Sequence, residues 1–155
     1  MGEGAGVGKN VNVGWNTTDV SDEAYIAAFE QILLPMCNDF KPELVIISAG
    51  FDSAEGDPLG QIRITPAGYS QMTRMLMEVA EGKVVVALEG GYNLTSISNS
   101  MAAVVSTLLG DKPLVPVHRE VPASCQESIE ETIAAHKPHW KALQNHKRKH
   151  GDLEI

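Results

Sequence analysis

Leu44-Val45-Ile46-Ile47-Ser48-Ala49-Gly50-Phe51-Asp52-Ser53-Ala54-Glu55-Gly56-Asp57-Pro58-Leu59-Gly60 begins as a continuous apolar run and ends in a loop rich in acids and glycine. Such a run reads as a strand buried on both faces of a parallel sheet. A second one, Val84-Val85-Val86-Ala87-Leu88, leads into Glu89-Gly90-Gly91-Tyr92-Asn93-Leu94. In an open parallel α/β sheet, functional groups gather in the crevice beyond the carboxyl ends of the strands. Asp52 and Tyr92 therefore arrive at one sheet edge. A carboxylate beside a phenol suits metal-assisted hydrolysis, where an acidic ligand holds a Lewis-acid ion and a hydroxyl steadies the developing oxyanion.

The flanking segments supply the helices of an α/β fold. Asn10 to Trp15 alternates with period two and predicts a short strand with one buried face. Asp19 and Ser21 offer helix-start chemistry, with Asp22 and Glu23 suited to the positive end of the dipole. Ile26, Phe29, Leu33, Met36 and Phe40 then mark an amphipathic helix that Pro35 should kink and Lys41-Pro42 should end. Thr65-Pro66 caps a helix with a buried stripe of Tyr69, Met72, Leu76 and Val79, which Gly82 stops. A further helix from about Thr95 carries Ile97, Met101, Val104 and Leu108 before Gly110. The expected order is strand, helix, strand, helix, strand, helix, joined by right-handed crossovers. Residues 111–122 read as an extended surface linker. Ile129, Ile133, His136, Trp140 and Leu143 suggest a last helix broken near Pro138, and 146–150 a solvated basic end. The expected division is 1–110 for the α/β part and 111–155 for linker, helix and tail.

The chain has 155 residues, 43% of them apolar, enough for one modest core with a tail. Aromatics make up 5%, so aliphatic residues and methionines, Met72, Met75 and Met77 among them, must supply the packing. The net charge of −8 is concentrated before Asp111, where 13 acids face 5 bases; a field of that sign disfavours direct binding of nucleic acid. Cys37 and Cys125 match no metal spacing and are too few for a disulfide framework, which favours a reducing compartment. No apolar run approaches the roughly 18 residues of a membrane span, and the glycine-rich start lacks a signal-peptide core. Nucleus, cytoplasm or both are the expected locations, with no membrane contact.

Several constellations have plain readings. The opening glycines lack a strand before them and a helix after them, so a turn accounts for them better than a phosphate loop. His118, His136, His139, His146 and His150 lie without a carboxylate or thiolate to complete a metal set and read as surface residues. Lys147-Arg148-Lys149 reads as a hydrated end or a weak nuclear-import patch. For Asp52, metal ligation and capping of a local turn both stand on position alone, with Asp57-Pro58 starting another turn. Gly90-Gly91 lets the main chain approach a small ligand while Tyr92 points inward, or simply turns the chain.

Ser48-Ala49-Gly50-Phe51-Asp52 with Asp57-Pro58-Leu59-Gly60, followed by Leu88-Glu89-Gly90-Gly91-Tyr92-Asn93-Leu94, resembles the C-terminal half of a zinc-dependent class II histone deacetylase. The likeness is nearest to the class IIb type that includes the tubulin deacetylase. It runs from the glycine loop through Glu131-Thr132-Ile133 to His139-Trp140. The resemblance implies a partial arginase/deacetylase-like α/β fold with a parallel sheet and flanking helices. It implies Zn2+ as cofactor, with Asp52 as a ligand, and Tyr92 as the hydroxyl that stabilises the tetrahedral oxyanion. Class IIa relatives carry histidine in place of that tyrosine, and Glu89 points to class II. Pro58, Leu59, Gly90 and Gly91 fall where the family lines the acetyl-lysine channel. Polyamine-deacetylating relatives carry an acid at the position of Leu59, so leucine favours acetylated protein lysine.

Implied substrates are the acetylated lysines of histone tails or tubulin, and implied partners are co-repressor or scaffold proteins. The family's other zinc ligands come from an Asp-x-His strand end, and its general bases from a His-His pair; no histidine precedes Asp52. The missing groups are expected upstream of Met1, in which case this polypeptide carries only part of an active site. The rival expectation is a silent fragment that pairs with the missing half or a scaffold. A third, a manganese hydrolase of arginase-like fold, calls for further aspartate clusters.

Overall fold

A computed structural model describes residues 2–18 and 20–145. Asp19, His146, Lys147-Arg148-Lys149 and His150 lie outside the described residues. The elements are α1 (Asp22–Ala28), a π-helical turn (Phe29–Leu33), α2 (Leu34–Phe40), β1 (Val45–Gly50), α3 (Pro66–Val79), β2 (Val84–Gly90), α4 (Leu94–Leu108), α5 (Ala123–His136) and α6 (Lys141–Gln144).

β1 and β2 pair in parallel, Val45 opposite Val84 through Ala49 opposite Leu88. The register then slips so that Gly50 meets Gly90, leaving Glu89 as the extra residue of a bulge. Bulges re-aim the chain and occur beside active sites. Here the irregularity falls at the carboxyl ends of both strands, where the chain leaves the sheet in two loops. α3 and α4 cover one face of the pair, Tyr69 of α3 and Ile97, Met101 and Val104 of α4 packing with Ala49, Phe51, Ala54 and Val86.

The opposite face corrects the expectation of strands buried on both sides. Ile46 is 69% exposed, and its neighbour Val85 on the same face is also open. Parallel sheets bury both faces only when helices lie on each. Among the described residues, the remaining helices pack elsewhere.

The expected strand at Asn10 to Trp15 is also absent. Val11, Val13 and Trp15 do turn toward a helical core of Ala28, Ile32, Met36, Ile129 and Ile133. Alternation reports one-sided burial, and here the covering layer is helices rather than a neighbouring strand. With α1, the π turn and α2 taken as one helical segment, the order is therefore helix, strand, helix, strand, helix, helix, helix.

Pro35 acts differently from a simple kink. In a regular helix its ring would strike the carbonyl of residue 31. The chain avoids this with the five-residue π turn immediately before it and resumes as α2 with Pro35 in its first turn.

α3 starts as expected: Thr65 accepts a hydrogen bond from Gly68 N at 3.3 Å, with Pro66 in the first position. The buried Asp22 side chain reaches across from α1 to accept from Thr65 N at 2.8 Å and Thr65 Oγ1 at 2.6 Å. Burial pushes the Asp22 carboxyl above its ordinary value, against the lowering effect of those two bonds.

The carboxyl-terminal stripe divides at Pro138. Ile129, Ile133 and His136 belong to α5, whereas Trp140 caps α6 and donates from Nε1 to Gly8 O at 2.7 Å. That contact holds the opening glycines as a turn against the helices. His136 departs from the surface reading, being buried, and burial draws its imidazole pKa down. The linker 111–122 runs without regular structure, and Val115 and Val117 are exposed on it. No described helix is long and apolar enough to cross a membrane.

Candidate active site

The site is built where β1 and β2 end. Phe51 continues β1, donates its N–H to Gly90 O at 2.9 Å and buries its ring against Tyr69, centroids 4.8 Å apart. With Phe51 turned inward, the next residue must face out. Asp52 is exposed accordingly.

Its carboxylate lies back over the two strand ends. A Cβ added to Gly50 would meet Asp52 Oδ1 at 3.0 Å, and one added to Gly90 would meet Oδ2 at 3.7 Å. Glycine at both positions leaves a cradle beside the carboxylate. A Cβ on Gly60 would collide with the Asp52 carbonyl oxygen, so the 57–60 turn closes tightly beneath it.

The second loop is tied to the first at several points. Gly91 takes φ +117°, a region that favours glycine, and an added Cβ would lie 2.9 Å from Phe51 Cβ and from Ile97. Asn93 caps α4 by accepting from Thr95 N at 3.0 Å and Ser96 N at 3.1 Å, and its Nδ2 donates to Gly56 O at 2.7 Å. Ser96 Oγ donates to Glu55 O at 2.7 Å.

Asp57 completes the lacing. Its Oδ1 accepts from Leu59 N at 2.8 Å and Gly60 N at 3.1 Å, and its Oδ2 accepts from Tyr92 N at 2.7 Å. Burial opposes the charge, but the amides of Leu59, Tyr92 and Gly60 together outweigh it and hold the carboxyl below its ordinary value of 3.8.

A carboxylate with a depressed folded pKa contributes stability that is present above the unfolded value and lost as pH falls through the folded one. The loops should therefore remain tied throughout the neutral range and loosen only under strong acid. In a carbon-detected NMR titration, the Asp57 carboxyl is expected to show a midpoint below 3.8. A midpoint at or above that value would show that the three amides do not hold the anion.

Asp52, Pro58, Leu59, Gly90, Gly91 and Tyr92 all lie at this edge of the sheet. Leu59 and Tyr92 share one carboxylate through their amides. Leu59 and Tyr92 are 67% and 63% exposed, and Pro58 is exposed beside Leu59. Gly90 ends β2, and Gly91 makes the turn that presents Tyr92. The sequence reading placed Asp57 in a local turn, and the structure adds its bond to the second loop. Asn93 and Ser96 carried no assigned part. The signal for their capping role is an Asn before an apolar helix start.

Tyr69 is another phenol nearby. It shares a 2.7 Å hydrogen bond with Ser53 Oγ, and burial pushes its pKa far up, so it stays neutral and supports the loop from below.

A zinc site needs about three protein donors and an open position. Among the described residues, no group of three His, Cys, Asp or Glu side chains could hold a metal. The cradle and the exposed carboxylate of Asp52 suit one ligand. The described donor set by itself does not fit the ion.

Residues 1–108 match the histone deacetylase domain. The chain belongs to the histone deacetylase domain family. The human polyamine deacetylase HDAC10 is 47% identical over 147 residues, covering 93% of this chain and 22% of that protein. The histone deacetylase clr3 of Schizosaccharomyces pombe is 52% identical over 112 residues, covering 72% of this chain and 16% of that protein.

The solved structure of the histone deacetylase Clr3 superposes with a TM-score of 0.89 at 39% identity, covering 99% of this chain and 27% of that one. The fold is accordingly the arginase/deacetylase α/β fold, represented here by one parallel strand pair and its helices. The chain spans about a fifth of the length of the curated relatives it matches. Deacetylases of this family are generally zinc-dependent.

Proposed function

We propose that this chain furnishes the Asp52–Tyr92 edge of an N-acetyl-lysine deacetylase site. The observation that carries the reading is the laced pair of loops, which brings an open carboxylate in a glycine cradle and an exposed phenol to one sheet edge. Asp52 is proposed as one ligand of a catalytic zinc whose other donors lie outside the described residues. Tyr92 is proposed to donate its phenolic proton in a hydrogen bond to the acetyl oxygen as that atom gains charge during attack, the moment at which a positioned donor is most effective. Pro58, Leu59, Gly90 and Gly91 are proposed to wall the channel for the lysine stem. The tyrosine at 92 and the glutamate at 89 support placement in class II, nearest the class IIb type.

Protein lysine is favoured over polyamine as substrate. A polyamine carries further cationic amines beyond its acetamide, and a channel that selects it needs an anion at the rim. The exposed residue there, Leu59, is apolar, and the adjacent Asp57 carboxylate is already occupied by three amides. Histone tails or tubulin are the proposed substrates, with co-repressor or scaffold proteins as partners, in the nucleus, the cytoplasm or both. Residues 1–110 are proposed as the catalytic portion and 111–155 as linker, helix and tail.

The test is a chimera in which this chain replaces the corresponding segment of Clr3, assayed beside the 155-residue chain alone. The chimera is expected to bind zinc and to hydrolyse an acetyl-lysine peptide in preference to an acetylated polyamine. The chain alone is expected to do neither. A folded, zinc-loaded chimera without peptide hydrolysis would overturn the reading, and a preference for polyamine would overturn the substrate class.

A further inference from the structure

Asp52 and Asp57 stand five residues apart in one loop and are used in opposite ways. Asp52 is exposed, whereas Asp57 is 8% exposed and has both oxygens engaged. Turn chemistry accounts for its bonds to Leu59 N and Gly60 N, because an aspartate side chain commonly accepts from nearby downstream amides. The bond to Tyr92 N spans 35 residues and, at 2.7 Å, is the shortest of the three. Nothing in a local turn requires it.

We propose that Asp57 is a positioning residue, whose carboxylate fastens the main chain of Tyr92 to that of Leu59 so that the phenol and the channel wall keep a fixed separation. The inference rests on the reading of Tyr92 as the oxyanion donor. Tyr92 follows two glycines, and a Gly-Gly step leaves the main chain many open conformations. A phenol carried on such a step needs an external anchor to hold its hydroxyl within hydrogen-bond reach of one atom. Asn93 and Ser96 anchor the start of α4 to Gly56 and Glu55. Asp57 anchors the peptide of Tyr92 itself.

The chemistry of the anchor is selective. Three N–H donors converge on one side chain, and an acceptor at both oxygens is needed to meet them. Asparagine has the same shape, but its carbonyl oxygen can keep the Leu59 and Gly60 amides only by turning its NH2 toward Tyr92 N–H, donor against donor. Asp57→Asn therefore preserves the turn and releases the tyrosine.

In the Clr3 chimera, Asp57→Asn is expected to lower kcat for an acetyl-lysine peptide on the order of tenfold to a hundredfold, as small misplacements of reacting groups do. KM and zinc content should stay unchanged. In a Tyr92→Phe background the same substitution is expected to add nothing, since groups that act as a unit are non-additive. An equal loss in both backgrounds, or no loss in either, would overturn the positioning role while leaving the deacetylase reading intact. Full activity in Tyr92→Phe alone would overturn that reading, and the positioning role with it. Should Asp57→Asn not fold, amide exchange in the unmodified 155-residue chain decides the matter. Tyr92 N–H is expected to be protected, and exchange at the rate of a free peptide amide would overturn the proposal.

Discussion

Tyr92→Phe in the Clr3 chimera is expected to reduce acetyl-lysine turnover about a hundredfold or more, the typical result of removing one oxyanion donor. The substitution deletes a single oxygen from a residue that is 63% exposed, so folding should be untouched. The ring keeps its size and its place on the Gly90-Gly91 turn, and the Tyr92 amide keeps its bond to Asp57. What disappears is a donor whose hydrogen bond strengthens as the acetyl oxygen becomes anionic, so kcat should fall while KM changes little. Zinc stoichiometry, measured on the same preparation, should be unaffected, because the phenol lies two residues beyond the strand end that faces Asp52. Retention of most activity with zinc in place would falsify the assignment of the phenol.

Phe51→Ala is expected to destabilise the 155-residue chain by about 3–5 kcal/mol, the usual range for emptying a buried phenylalanine site. Phe51 is 1% exposed and fills the space between Tyr69, Ala54 and Val104 under the sheet ends. The loss is large against the roughly 5–15 kcal/mol that holds an ordinary domain folded. The effect should reach the site, because Asp52 is the next residue and a Cβ built on Gly91 already meets Phe51 at 2.9 Å. A urea titration reads it as a lower midpoint with little change in slope. A shift below about 1 kcal/mol would mean that the cavity collapses freely and that this ring is not what supports the two loops.

Much of the strand–helix framework was legible because it depends on near neighbours. The apolar runs at Val45 and Val84 became the paired strands, Thr65-Pro66 capped α3, and the stripe ending at Leu108 became α4. The misread segments share a cause. Alternation from Asn10 to Trp15 records one buried face without saying what buries it, and helices occupy the place of the expected partner strand. The runs Leu44-Val45-Ile46-Ile47 and Val84-Val85-Val86-Ala87-Leu88 announce strands, but not which face the described helices leave open. Pro35 signals an interruption, while the choice of a π turn over a bend depends on how α1 and α2 must both pack onto one core.

Family membership, the strand ends, and the arrival of an acid and a phenol at one edge could all be read from the order of residues alone, because short motifs and hydrophobic period are local properties. Which of the two aspartates in a single loop stays open was a matter for the tertiary structure. Asp52 faces outward because Phe51 must face in, and Asp57 is occupied because the amide of Tyr92, 35 residues away, comes to meet it. Backbone donors carry no sequence signature, so a carboxylate they claim looks on paper the same as one left free for chemistry.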